Sequence, residues 1–483
     1  MPALSLSKGR RRHWNAALLA AGLALGLAAC GREPADLVRV PAAPPAALLV
    51  RNVTVLDVAT GTRVPDRDVL LRDGRIAAIT ATGAANPGGA SELDGAGATL
   101  LPGLIDMHGH VGNGSAPSWL NKMPDPERNL RSYLYSGVTT VLDPAGMAPQ
   151  AFTLRDRVAA GALPGPRVYQ AGPMITAPGG HPVAILENLV PWWLNWYLID
   201  HFTRQVATPD EARAAVREIA GFKADVIKLS VDSIPDDVPR LSDATVAAAV
   251  DEAHKHGLRA VAHIGTFADA VAAAEARAAL WVHGVYKERL TDEQVAQLAA
   301  YGVPMVPTTI VFESYALLGQ GPRAATPLER ETVPPDILAA FDHPPQSKAS
   351  EYFRPHIEKL RANRAAWRDN VRRLKAAGVT ILAGSDAQMG VFPGPGLHRE
   401  LALLVESGLT PAEAIRAATL DAAQFLAAGA EPEFGVVAEG KRADLLLVEG
   451  DPVADLSALA RIRAVIKGGV PLERRPFGQS FGQ

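Results

Sequence analysis

Residues 101–110 read LPGLIDMHGH, an apolar run of strand length that ends in two histidines two residues apart. Side chains alternate along a strand, so His108 and His110 are placed on one face. Outward from this segment, over about residues 100–428, apolar strands alternate with helical, alanine-rich stretches, the pattern of βα units around a parallel sheet. Eight strands are expected: Leu101–His110, Val138–Asp143, Arg167–Gly172, Asp225–Ser230, Arg259–His263, Leu280–His283, Pro304–Thr309 and Val379–Asp386. Eight predicts an α/β fold, a closed (β/α)8 TIM barrel whose functional groups gather where the strands end. A capping box of Thr410, Pro411 and Glu413 opens the last helix.

Several more reactive side chains sit at those strand ends: Lys228 in VIKLS, His263, His283, and Asp386 in AGSD. One histidine or lysine near a strand end is more often a satisfied polar residue than a ligand. Five strands ending in six metal-competent side chains are a different matter, because strand ends converge on one cavity. DEAHKHG (251–257) repeats the H-x-H spacing at His254 and His256. That pair falls on a predicted helix, where residues two apart do not share a face, and is expected to be structural.

The flanks read as β-structure. LLVRNVTVLDVATG (48–61) and DVLLRDGRIAAI (68–79) precede the barrel, and FGVVAEGKRADLLLVEGD (434–451) and RIRAVIKGGV (461–470) follow it. Neither half offers enough strands to stand alone, so residues 47–99 and 433–475 are expected to pair into one small β-sandwich domain. Residues 1–30 run from a basic start (Lys8, Arg10, Arg11, Arg12, His13) through the apolar Ala16–Ala29 to Leu27-Ala28-Ala29-Cys30. This resembles a bacterial lipoprotein signal, which implies a lipid on Cys30. With Gly31 next, the resemblance favours an outer-membrane lipoprotein facing the periplasm, with 31–46 as a proline-rich tether. The alternative is an ordinary cleaved secretory signal.

Composition narrows the classes further. The 483 residues are 48% hydrophobic and 20% charged, which suits a globular chain with a sizeable core. Lys+Arg of 48 against Asp+Glu of 51 gives a net charge of -3 and no basic block for nucleic acid. The single cysteine excludes a disulfide scaffold and a cysteine-built zinc site, leaving histidine, carboxylate and lysine as the ligands for a metal.

Taken together, GLIDMHGHV, VIKLS, VAHI, WVHG and AGSD, with TPAEAIRAATLDAA and GVVAEGKRADLLLVEGDP, resemble the metal-dependent amidohydrolase superfamily near its imidazolonepropionase-like and Xaa-Pro-dipeptidase-like branches. The resemblance covers about residues 47–470. It implies two divalent ions, His108 and His110 on the more buried one and His263 and His283 on the more exposed. Lys228 would bridge them as a carbamate, and Asp386 would ligate the buried ion and move the proton of a bridging hydroxide. An ammonium has no lone pair, but burial favours the neutral amine, which adds carbon dioxide to give two anionic oxygens. Zinc suits this donor set, with manganese and iron as alternatives.

The reaction implied is hydrolysis of a small-molecule amide, with a lactone or ester as alternative. A mononuclear deaminase would lack Lys228 and use a glutamate after the fifth strand, where this chain reads HIGTF; a non-catalytic binding lipoprotein would have lost a ligand. For the substrate, GPMITAPGGHP (172–182) sets His181 behind a glycine pair in a loop where the related branch often has a histidine. Tyr286 is either a hydrogen-bond donor to the substrate carbonyl or a packing residue. LVPWWLNWYLIDHF (189–202) is expected to be a lid over an apolar substrate, with a membrane-touching patch or a contact within a homo-oligomer as alternatives. The insertion at about 313–365 is expected to add a second lid element.

Overall fold

The computed structural model describes residues 37–120, 122–345 and 348–481. Cys30 and the leader lie outside the described residues. The barrel strands are β1 (Leu104–Asp106), β2 (Val138–Asp143), β3 (Arg167–Gln170), β4 (Val226–Ser230), β5 (Arg259–His263), β6 (Leu280–Val282) and β7 (Met305–Val306). They pair in parallel in two arcs, β1-β2-β3 and β4-β5-β6-β7, with Val141 opposite Val168, Lys228 opposite Val261 and Val282 opposite Val306. Asp225 N donates to Gln170 O at 2.9 Å, joining the arcs. The eighth segment pairs with β7 through a parallel bridge between Ile381 and Met305, and Met107 N donates to Ala383 O at 2.9 Å, which closes the ring.

Four strands depart from expectation by two residues or more, each for a local reason. The run 101–110 is split between two sheets: Thr99–Pro102 pairs antiparallel with Leu445–Val448, and only Leu104–Asp106 enters the barrel. Pro102-Gly103 makes the break, so His108 and His110 sit on the loop after β1. Beyond β3, Gly172 turns with φ +74 and the chain resumes as Met174–Thr176, a strand read as loop, which pairs with β4 at Leu229. β7 stops before Pro307, which has no N–H for a ladder, and Thr308 is left-handed at φ +46. The eighth segment, expected as a full strand over Val379–Asp386, is irregular; at Gly384 a Cβ would meet the His108 nitrogen at 2.7 Å.

The two flanks form one eight-stranded sheet, in which Leu445–Val448 lies between Thr99–Pro102 and Ile462–Lys467. Leu48, Val50, Val69, Leu100, Leu447 and Ile466 share its apolar core. Of the tether expected at 31–46, residues 37–39 are built into the fold. Val38–Arg39 pairs with Glu473–Arg474, and Leu37 and Val38 are buried against Leu134 and Tyr135.

Five helices matter for the site: α1 (Val183–Leu189), α2 (Trp192–Phe202), α3 (Asp243–Lys255), α4 (Thr309–Leu317) and α5 (Lys348–Ala376). Ile310, Phe312, Phe353, Ile357 and Tyr286 form an apolar layer from α4, α5 and the loop after β6, with Ile185 and Leu189 of α1 packed on it. The lid expected at 189–202 is not closed down. No residue of α2 is buried, and Trp192, Trp193 and Trp196 are 82%, 61% and 64% exposed. Residues 313–365 break into the rest of α4, the short helices Pro327–Thr332 and Pro335–Ala340, and the first turns of α5. Among the described residues no helix is long and apolar enough to cross a membrane.

Candidate metal centre

Asp106, the last residue of β1, is fully buried and organises the turn that follows. It accepts from His108 N at 3.1 Å, Ser385 N at 2.9 Å and Ser385 Oγ at 2.6 Å. Asp386 N then donates to His108 O at 2.5 Å, so the first and eighth strand ends are stitched together. As a result Asp386 Oδ1 lies 2.9 Å from His110 Nε2 and 3.6 Å from His108 Nε2. Across the mouth, the rings of His108 and His283 are 4.8 Å apart and those of His263 and His283 4.0 Å. Ligand atoms of His108, His283 and Asp386 all fall within 4.8 Å of one another. His283 and Asp386 hold left-handed backbones, φ +70 and +52, the kind of local strain that concentrates at functional sites.

The electrostatics prepare three of the four histidines to bind a cation, and hold the fourth against two carboxylates. Burial drives His108, His263 and His283 well below the ordinary histidine range, leaving neutral imidazoles with lone pairs. Burial works against a charge on His110 too, but its contacts with Asp143 and Asp386 outweigh it and raise the ring to about 9. Burial pushes Asp386 up, yet the hydrogen bond and charge of His110 hold it below the usual carboxylate range. Lys228, 1% exposed, is lowered by burial to about 7. Buried and without a hydrogen-bond partner are His108 Nδ1, His110 Nδ1 and His263 Nε2. Imidazoles and one carboxylate converging with unmet donor capacity are a donor set that fits divalent metal.

The structure brings all six strand-end residues to this mouth. His181 comes as well, its ring 4.7 Å from His263 and its Nδ1 buried without a partner, and burial lowers it to about 3. Of the two readings of Tyr286, the contacts are those of packing: its hydroxyl donates to Asp232 Oδ2 at 2.5 Å and its ring stacks on Phe312 at 4.1 Å. His254 and His256 are exposed at the end of α3, away from the centre.

Sequence reasoning missed the polar residues that lie beside the histidines. Asp143 Oδ1 lies 3.4 Å from His110 Nδ1, Thr308 Oγ1 lies 2.6 Å from His283 Nδ1, and Asp232 Oδ2 lies 3.5 Å from His263 Nε2. Asp143 ends VTTVLD and Asp232 follows Lys228 by four residues, so the strand-end rule that picked out the ligands applied to them also.

The profile of the amidohydrolase family matches residues 99–472. Ochratoxinase of Aspergillus niger is 27% identical over 407 residues, 77% of this chain and 75% of that one. Its crystal structure superposes with a TM-score of 0.66 at 22% identity, over 89% of this chain and 96% of the other. A Xaa-Pro dipeptidase with methionine bound in its active site superposes with a TM-score of 0.69 at 23% identity, over 88% and 99%. An uncharacterized protein of Mycobacterium tuberculosis is 26% identical over 338 residues, 68% of this chain and 75% of that one. With the barrel closed, the histidines gathered at its mouth and the profile spanning barrel and β-domain alike, the chain belongs to the amidohydrolase family and is a hydrolase acting on carbon–nitrogen bonds.

Proposed function

We propose that the chain is a binuclear metal-dependent amide hydrolase. His108, His110 and Asp386 hold the more buried ion, His263 and His283 the more exposed one, and Lys228, carboxylated on Nζ, bridges them. The observation that supports this most strongly is the setting of Lys228. It is buried, close enough to His108, His263 and His283 to affect their charge, and has no hydrogen bond or ion pair among the described residues. An unpaired ammonium is costly there. The neutral amine forms a bond to the carbon of carbon dioxide and loses a proton, and the carbamate's two oxygens then answer the surrounding cation site.

Zinc is the ion this donor set suits. Bound there, the ions supply a hydroxide at neutral pH and polarise the scissile carbonyl. Asp386 is held as a carboxylate beside both His108 and His110, in place to accept a proton and return it to the leaving nitrogen. Neutral His181, next to His263, is the side chain that meets the substrate. The name Xaa-Pro dipeptidase directs the substrate class to dipeptides, and the name ochratoxinase adds ochratoxin to the candidates.

The test is metal analysis of the purified protein joined to a hydrolysis screen of the zinc-loaded enzyme against dipeptides, N-acyl amino acids and aryl amides. Close to two divalent ions per chain with amide turnover is expected; a reproducible value of one overturns the bridged site. Attachment to the membrane by a lipid on Cys30 is proposed on the sequence alone. Cys30→Ala is expected to move the protein out of the membrane fraction with its activity intact, and unchanged fractionation overturns the anchor.

A further inference from the structure

Beyond the six ligands, Asp232 joins three of the strand ends that carry them. It lies past the end of β4, four residues after Lys228, and is 2% exposed. Its Oδ2 accepts from the Tyr286 hydroxyl at 2.5 Å and lies 3.5 Å from His263 Nε2. Its Oδ1 accepts from Ser233 N at 2.7 Å and pairs with Lys287 Nζ at 2.7 Å. The loop after β5 leaves room for this carboxylate only because residue 265 is glycine: a Cβ there would meet Asp232 Oδ2 at 2.3 Å. Gly265 O in turn accepts from the backbone nitrogens of Tyr286 and Lys287, both at 3.1 Å. The ends of β4, β5 and β6 are thus tied together around one carboxylate. The contact of Asp232 Oδ2 with His263 Nε2 is one of charge and proximity, since that nitrogen makes no hydrogen bond among the described residues.

We propose that Asp232 is a positioning residue for the more exposed ion, fixing His263 from its Nε2 side so that the ring's other nitrogen faces the cavity. The inference rests on the binuclear reading and assigns a residue to one half of it. A partner that orients a metal-bound imidazole changes metal affinity by about 10–100-fold when it is removed. Tyr286 and Lys287 saturate the carboxylate's remaining positions and keep it from turning into the cavity as a ligand itself. Tyr286 acts in this arrangement through Asp232.

The experiment is stepwise titration of the metal-stripped full chain with zinc against a competing chelator, repeated with cobalt and followed by its visible absorption. Asp232→Asn and Gly265→Ala are compared with the wild type. Gly265→Ala keeps the carboxylate but displaces it, so it tests position without changing charge, and it serves if Asp232→Asn fails to fold. Both variants are expected to bind the first ion as the wild type does and to weaken the second by at least about tenfold. Tyr286→Phe is expected to weaken the second by less. Equal weakening of both ions, with a lowered melting temperature, would show a merely structural role and overturn the proposal. Unchanged affinity for both ions in the two variants overturns it too. A wild type that takes up one ion only is a distinct failure, because it removes the binuclear reading on which the assignment stands.

Discussion

His108-Gly109-His110 and His254-Lys255-His256 have the same spacing and different fates. The first pair is 2% and 5% exposed, and Nε2 of both rings lies within 3.6 Å of one carboxylate oxygen. The second sits in solvent at the end of α3, where Lys255 pairs with Asp251 at 2.7 Å and His256 lies 3.7 Å from Glu252. The middle residue records the difference. At Gly109 a Cβ would meet the Tyr133 hydroxyl at 2.6 Å and Val141 at 2.7 Å, so only glycine lets the loop close on β2; the middle residue of the second pair is a solvated lysine. Spacing alone does not make a site. The end of a buried strand does, because it aims both rings into a space walled by other strand ends.

The strongest way to break this comparison is to remove the buried pair. His108→Ala or His110→Ala is expected to abolish metal uptake and lower turnover by about three orders of magnitude or more, measured by metal analysis and steady-state kinetics. Lys228→Ala is expected to have a similar effect on turnover and to leave the circular dichroism spectrum unchanged. A fully active Lys228→Ala would leave a mononuclear site at His108, His110, His263 and Asp386. Formate or acetate added to this variant is expected to restore part of the rate by taking the place of the carbamate oxygens.

A sharper probe is the residue between the histidines. Gly109→Ala forces the loop off β2 and is expected to reduce metal affinity by about 10–100-fold, a size typical of displaced supports of a ligand. Wild-type affinity in Gly109→Ala would show that the glycine is not what shapes the pair.

Smaller still is an effect that separates a buried carboxyl serving the fold from the buried groups serving the metals. Glu400 is fully buried and accepts from Thr309 N at 3.0 Å and Ile310 N at 2.7 Å, capping α4. Burial raises its carboxyl to about 8. The folded value lies above the unfolded one, so its contribution to stability is fully present below about pH 4.5 and is lost as pH rises through about 8. Glu400→Gln is expected to flatten this part of the stability profile by up to a few kcal/mol, measured by denaturant unfolding at several pH values. A profile with the same slope in both proteins would remove Glu400 as its source. The smallest change is expected in the second H-x-H pair. His254→Ala and His256→Ala should stay within about 0.5 kcal/mol of wild type and keep both ions, and loss of metal in either would break the comparison outright.

Much of this is legible in the sequence. β2 and β5 match their expected ranges, Val138–Asp143 and Arg259–His263, because each is a short run free of proline and glycine that ends in a polar residue. The run 101–110 misled because one apolar stretch feeds two sheets, and apolarity marks burial without saying in which core. The eighth strand failed because its place is set by hydrogen bonds from Met107 and to His108, contacts across more than 270 residues that no local pattern carries. Asp143, Asp232 and Thr308 escaped notice because a short polar residue after a strand looks like any turn former. Their role depends on which nitrogen of a distant histidine they face.

The eight-stranded sheet carries one further consequence, for the order in which the protein is made. Leu445–Val448 is the strand that joins Thr99–Pro102 to Ile462–Lys467, and Val38–Arg39 finds its partner only at Glu473–Arg474. During synthesis, residues 47–102 emerge early and must wait for more than 300 residues of barrel before their neighbours exist. Until then their open edge is a template for pairing with other nascent chains. The chain is thereby committed late: all eight barrel strand positions are on hand before the ribosome delivers the strands that close the second domain.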